Sequence, residues 1–295
     1  MKQGDVNASK RGIENKGLWG YFILTYAIAA LTWGSMIVFR IPGAAVTSTV
    51  ARQRPIGVLL LFIGGFSPSI AGIFLIWYMG GRAGLRELWK RTILFKFGWK
   101  LYLAIFLLPL LVFVIQLGVQ LMRGRALTQS GLLTHPSRLI GFTIQILLGG
   151  AIAEEFGWRG FVLDQLFKRW NVGVASLILG IFWAFWHLPL FFIPDTIQAS
   201  RGNVVKEFPV FALLIVSLAV LFSWVYINTN RSLFAVLLFH TVFDWINTFS
   251  GTMMNGDIID RLVHAVTFTV LAAVVLIWWN LNRQPTMVGN EVQKV

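Results

Sequence analysis

Residues 210–228 read VFALLIVSLAVLFSWVYIN, an apolar run from Val210 to Asn228 without one charged side chain. Wound as a helix rising about 1.5 Å per residue, a run of this length crosses the hydrocarbon core of a bilayer. It lacks the alternation of a barrel strand, and a spanning segment must close its own backbone hydrogen bonds, so the reading is a transmembrane helix. Outward from it, comparable runs extend over Leu18 to Phe39, Ile56 to Met79, Leu101 to Leu121, Leu139 to Leu163, Val172 to Phe192, Ser232 to Ser250 and Leu262 to Trp279. The expected fold is all-α, a polytopic transmembrane helical bundle of about eight spanning helices. Residues 1–295 form one membrane domain, with neither a soluble domain nor a long linker.

Composition agrees. Hydrophobic residues make up 57% of the 295 and charged ones only 13%, with a mean hydropathy of +0.72. A chain of that kind needs lipid as its solvent. The absence of cysteine excludes thiol nucleophiles, Cys-ligated zinc and disulfides. The net charge of +13 does not indicate a nucleic-acid partner, because the basic residues sit in loops between apolar runs.

The first run is too long for a signal-peptide core and is read as a retained helix. Placing the N-terminus in the cytoplasm collects Lys2, Lys10, Arg11, Lys16, Arg82, Arg86, Lys90, Arg91, Lys96, Lys100, Lys168 and Arg169 on the inner side. The opposite side holds Arg40, Arg52, Arg54, Arg123, Arg125, Arg138, Arg201, Lys206 and Arg261, a smaller set. The expectation is a multi-pass protein of the plasma membrane with a cytoplasmic N-terminus. Residues 80–100 mix Leu85, Leu88, Trp89, Ile93 and Phe95 with basic residues, as an amphipathic helix anchored in the interface does.

An ionisable side chain within lipid costs several kcal/mol unless it is paired or faces a wet cavity, so the few that interrupt these runs carry the information. They are Glu154, Glu155 and Arg159 in the fourth run, His187 in the fifth, and His240 and Asp244 in the seventh. Glu155 and Arg159, four apart, share a helix face and can pair, while Glu154 projects about 100° away. One glutamate can be held while the other works. Asp244, four residues after His240, can sit beside that imidazole and orient it, and Pro189 can loosen the helix just beyond His187. Glu154, His187, His240 and Asp244 each lie within about 6 Å of the middle of their own runs, so they can converge. Interhelical hydrogen-bonding glue explains one such pair more readily than six such residues at one depth. A desolvated glutamate suits a general base acting on water, and histidines opposite it can share the proton or donate to an oxyanion.

These residues resemble a known family. Glu154-Glu155-Phe156-Gly157-Trp158-Arg159 fits the EExxxR motif of the CAAX protease and bacteriocin-processing family, whose eukaryotic members are the type II CAAX prenyl endopeptidases. Trp183-Ala184-Phe185-Trp186-His187 stands where that family has FxxxH, with tryptophan for phenylalanine. His240-Thr241-Val242-Phe243-Asp244 is similar to the third motif, a histidine followed four residues later by asparagine or another polar residue. The resemblance is detailed over residues 139–250. It implies an intramembrane endopeptidase in which Glu154 and His187 activate water, His240 and Asp244 form the oxyanion hole, and Glu155 and Arg159 stabilise the site. It also implies no cofactor or metal. The substrate class is a membrane-associated peptide or lipidated protein, either a prenylated C-terminal tail or a bacteriocin or pheromone precursor. The aspartate is a departure: ionised, Asp244 would repel an oxyanion, so it must be protonated or act through His240.

Three other readings stay open. Glu154, His187 and His240 could supply three zinc ligands and leave a fourth position for water, although no HExxH run is present. The same polar groups could relay protons in a transporter, or belong to a non-catalytic immunity protein. His135 and His264 lie at the edges of runs, where solvated or interfacial roles are expected. Residues 64–69, GGFSPS, are read as a packed helix kink, and Trp158, Trp183 and Trp186 as walls that keep water from the site.

Overall fold

The computed structural model describes residues 3–43, 54–124, 139–250, 257–282, 286–288 and 291–293. Lys2, Arg52, Arg125, His135 and Arg138 lie outside the described residues. Nine helices follow in chain order among those described: α1 Gln3–Val38, α2 Pro55–Gly65, α3 Ser67–Thr92, α4 Trp99–Met122, α5 Leu139–Phe167, α6 Val172–His187, α7 Val204–Asn228, α8 Leu233–Ser250 and α9 Ile258–Leu281. A short antiparallel hairpin pairs Thr286–Val288 with Glu291–Gln293.

Among the described residues six helices are long and apolar enough to cross a membrane, and there are seven if the bent pair α2 and α3 counts as one span. The shorter apolar α8 occupies the remaining run expected from the sequence. The chain is an all-α, multi-pass integral membrane protein. Its outer surface fits lipid contact, with Leu31, Tyr78, Ile140, Val205 and Leu281 all more than 70% exposed. Helix α7 is central: 72% of its apolar window is buried within the protein, against 22% for α4 at the rim. Pairing with α6 on one side and α9 on the other accounts for that burial.

Local sequence sets the helix ends. The side chains of Asn171, Asn203 and Asp257 accept hydrogen bonds from the backbone N–H groups of Val174, Val205 and Asp260, capping α6, α7 and α9. Pro189 stops α6 at His187, and Leu188–Phe192 tightens into a 3₁₀ turn. The expected kink at residues 64–69 is a 47° bend between α2 and α3. Ser69 there donates to the Ile152 carbonyl at 2.7 Å, and Ser67 accepts from the indole of Trp186 at 3.0 Å.

Helix α3 meets α5 at two glycines. A Cβ on Gly72 would stand 2.7 Å from the Gly157 Cα, so no larger residue fits without moving a backbone. Helix α5 is itself irregular. Regular α-helix at Ala153–Gly157 is bracketed by π-helix at Leu147–Ile152 and Trp158–Val162. Widened turns leave carbonyls without their usual partners, and side chains take up two of them. One is Ile152, bonded by Ser69; the other is Gly160, bonded by Arg91 at 2.9 Å.

Arg91 therefore does more than the expected interfacial anchoring. Helix α3 breaks at Gly81 (φ 55°), and the following turns direct Leu88 and Arg91 inward while Trp89 stays exposed. Arg91 bonds Asp164 at 3.0 Å and the Tyr226 hydroxyl at 2.7 Å, and Arg231 also pairs with Asp164. Arg231 adopts a left-handed backbone (φ 64°), a conformation that costs a non-glycine residue about 1–2 kcal/mol and that this network offsets. Asp164→Ala would strand two mostly buried guanidinium groups, and the expected loss is about 3–5 kcal/mol. Arg54→Ala, which breaks the exposed Arg54–Asp195 pair, should cost about 0–1 kcal/mol. Thermal melting in detergent separates the two; equal melting temperatures would contradict the network's role.

Candidate active site

The regular turn at Ala153–Gly157 points two adjacent carboxylates in different directions. Glu155 faces Arg159 one turn on, and the guanidinium Nη1 bonds both of its oxygens at 2.9 and 3.0 Å, with both side chains fully buried. Glu155 Oε1 also accepts from His240 Nδ1 at 2.8 Å. The i, i+4 pair expected from the sequence is present, with the α8 histidine added to it.

Arg159 is held on its faces as well. Its Cζ lies 4.3 Å from the ring centre of Trp183 and 4.5 Å from that of Phe222, so the guanidinium is sandwiched between α6 and α7. Each desolvated contact of this kind contributes about 0.5–2 kcal/mol. Its Nε and Nη2 have no hydrogen-bond acceptor among the described residues, and ring faces are what this cation meets.

Glu154 turns the other way. Its Oε2 accepts a 2.5 Å hydrogen bond from the indole Nε1 of Trp183, and only 7% of the residue is exposed. His187 Nδ1 lies 2.9 Å from the Trp183 carbonyl oxygen. A carbonyl only accepts, so Nδ1 carries the proton and the lone pair is at Nε2. Trp183 therefore touches both groups, Glu154 through its indole and His187 through its backbone. The imidazole of His187 is packed by the edges of Trp186 and Phe211, with ring centres 4.6 and 5.1 Å away.

His240 completes the centre. With Nδ1 directed to Glu155, its Nε2 stands 3.5 Å from Asp244 Oδ2. Glu155 is thus the nearer of its two carboxylate neighbours. Gly150, in the first π-helical turn, leaves room for the Asp244 carboxylate: a Cβ there would come 2.8 Å from Oδ2. Among the described residues, no three His, Asp or Glu side chains are grouped as metal ligands.

Of the three expected wall residues, Trp183 and Trp186 line the His187 side, and Trp158 lies one layer out against Tyr21 and Trp186. Sequence reading missed Phe222, which sits in an uncharged run with no signal to mark it, and Gly150, whose pairing with Gly149 in α5 was the available cue. It also misplaced His264. That residue is buried, with Nδ1 2.9 Å from Gln116 Oε1, because α9 starts earlier than the apolar run and carries it inside.

An apolar recess of about 460 Å³ opens between α3 and α5, lined by residues including Ile70, Phe74, Trp77, Ile152 and Phe156. Ile152 and Phe156, two residues before and after Glu154, project about 160° from it around α5.

The family described as Type II CAAX prenyl endopeptidase Rce1-like matches residues 136–246. That window holds Glu154, Glu155, Arg159, His187, His240 and Asp244. Over that window the chain is similar to the type II CAAX prenyl endopeptidases. It is 26% identical over 265 residues to a protein named CAAX prenyl protease 2 from Methanococcus maripaludis, a similarity that covers 87% of this chain and 92% of that relative. Likeness to this protease family thus extends well beyond the three motifs.

Arg159→Leu would leave Glu155 buried without its cation, for an expected loss of about 3–5 kcal/mol. Arg159→Lys keeps the charge but loses the flat guanidinium between two rings, for about 1–2 kcal/mol. Melting in detergent should rank wild type above lysine above leucine; a leucine variant as stable as wild type would remove the ion pair from the account.

Proposed function

We propose that this relative of the CAAX prenyl proteases is an intramembrane endopeptidase that hydrolyses its substrate with a water activated by Glu154 and His187, without a metal. The observation that carries the reading is the division between the two glutamates. Arg159 and His240 occupy Glu155, whereas Glu154 has one indole bond, from the Trp183 whose carbonyl holds His187 Nδ1.

In the reaction, a water between Glu154 and His187 Nε2 gives a proton to Glu154, and its oxygen attacks the peptide carbonyl carbon. The carbonyl oxygen becomes an oxyanion. His240, with its Nε2 protonated and its Nδ1–H committed to Glu155, donates to that oxygen, and Asp244 fixes the imidazole from the other side. The C–N bond then breaks, and the proton held by Glu154 passes to the leaving amine. A neutral, protonated Asp244 would avoid the repulsion that a carboxylate offers an oxyanion.

The substrate class proposed is a prenylated C-terminal tail. The names of the matched family and of the archaeal relative support it. So does the recess beside Ile152 and Phe156: its volume falls within the range of small-molecule sites, about 300–1,000 Å³, and its lining suits an isoprenoid. We place the protein in the cytoplasmic membrane with its N-terminus inside, on the distribution of lysine and arginine between the loops.

Cleavage of a farnesylated peptide by purified protein tests the mechanism. Glu154→Ala and His187→Ala should each lower kcat by about 10²–10⁴-fold while melting near wild type, and a strong chelator should leave the wild-type rate unchanged. Loss of activity with chelator would instead give Glu154, His187 and His240 to zinc.

A further inference from the structure

The end of the bundle that carries residues 193–203 holds a positive charge with no ion-pair or hydrogen-bond partner among the described residues. Two arginines and one glutamate line a small hollow with Phe211, Leu214 and His264. Arg261 is paired: it bonds both oxygens of Glu207 at 2.7 Å. Asp257 and Asp260 are taken by Arg123. Arg201, the other arginine, has neither a hydrogen-bond partner nor an ion-pair partner among the described residues, and its Nε is fully buried. Its Cζ lies 5.0 Å from the Phe211 ring centre.

A mostly buried guanidinium whose nearest carboxylate, Glu207, is bonded to another arginine is a costly arrangement, and such groups recur where an anionic ligand is to be bound. Loss of water and the nearby Arg261 push Arg201 down to about 10, so it remains a cation at neutral pH. His264 also offers the hollow a buried Nε2 without a hydrogen-bond partner among the described residues.

Its distance from the reacting centre is informative. Phe211 contacts both Arg201 and His187, so the guanidinium is within about 10 Å of the imidazole. An extended peptide advances about 3.3–3.6 Å per residue, so three residues span about 10–11 Å. A tail of no more than about three extended residues beyond the scissile bond would reach Arg201.

We propose that Arg201, in the hollow it shares with Arg261 and His264, binds the free C-terminal carboxylate of the peptide tail and so sets the number of residues on the leaving side of the cut. Planar guanidinium suits carboxylate, and a charge-assisted hydrogen bond here discriminates between an acid and an uncharged end. The assignment rests on the peptidase reading and deepens it.

The test uses binding, so that it does not depend on turnover. Full-length Glu154→Gln protein is titrated with a farnesylated peptide bearing three residues after the modified cysteine, either as the free acid or as the C-terminal amide. The acid should bind about 10–100-fold more tightly than the amide. Adding Arg201→Gln should weaken only the acid, bringing the two within about threefold, and Arg201→Lys should restore part of the preference. Equal binding of acid and amide with Arg201 present overturns the proposal, as does an Arg201→Gln variant that weakens both alike. Failure of the peptidase reading would look different: wild-type protein would prefer the acid and leave it uncut.

Discussion

A guanidinium in the middle of an apolar bundle constrains everything packed around it. Arg159 cannot reach water, so its charge must be met by a carboxylate one helical turn away and by ring faces from the neighbouring helices. Glu155 is committed by this demand, and Trp183 and Phe222 are fixed as flat plates on either side. Trp183, once fixed, aims its indole N–H at Glu154 and its carbonyl at His187. The geometry of the two groups proposed to handle water is thus inherited from the buried cation. His240 is tied to the same ion pair through Glu155, so α5, α6, α7 and α8 meet at a single electrostatic centre.

Irregular backbone serves that centre. Two π-helical turns flank the glutamates and loosen α5, and the carbonyls they free need partners from outside the helix. Ser69 and Arg91, both on α3, cover those carbonyls from one side, and the Gly72–Gly157 approach brings α3 close enough to do so. Stability and site geometry therefore depend on the same few contacts, and the Asp164 network at one end of α5 acts as its anchor.

Much of this was legible in the chain. Uncharged runs of spanning length gave the helices, and the i, i+4 spacing of Glu155 and Arg159 predicted their pairing because such pairs are local to one helix. The equal-depth expectation named Glu154, His187, His240 and Asp244, and the contact that joins α5 to α8 runs instead from His240 to Glu155. What could not be read were contacts between helices that leave no periodic trace. Phe222 looks like any other residue of its run until α7 is packed on Arg159, and Arg91 looks like one more interfacial cation until the break at Gly81 turns it inward. His264 was misplaced for a related reason: a helix can begin with polar residues well before its apolar run, and Asp257 caps α9 there.

The central claim is that this cluster splits a peptide bond with water inside the bundle. Its most direct test is mass spectrometry of the products formed from a farnesylated peptide in ¹⁸O-labelled water by protein whose metal content has been measured as negligible. One heavy oxygen on the new carboxyl of the prenylated cysteine, together with an intact, unlabelled tripeptide, is the predicted result. An uncut peptide, or cutting confined to a metal-loaded fraction, would contradict it.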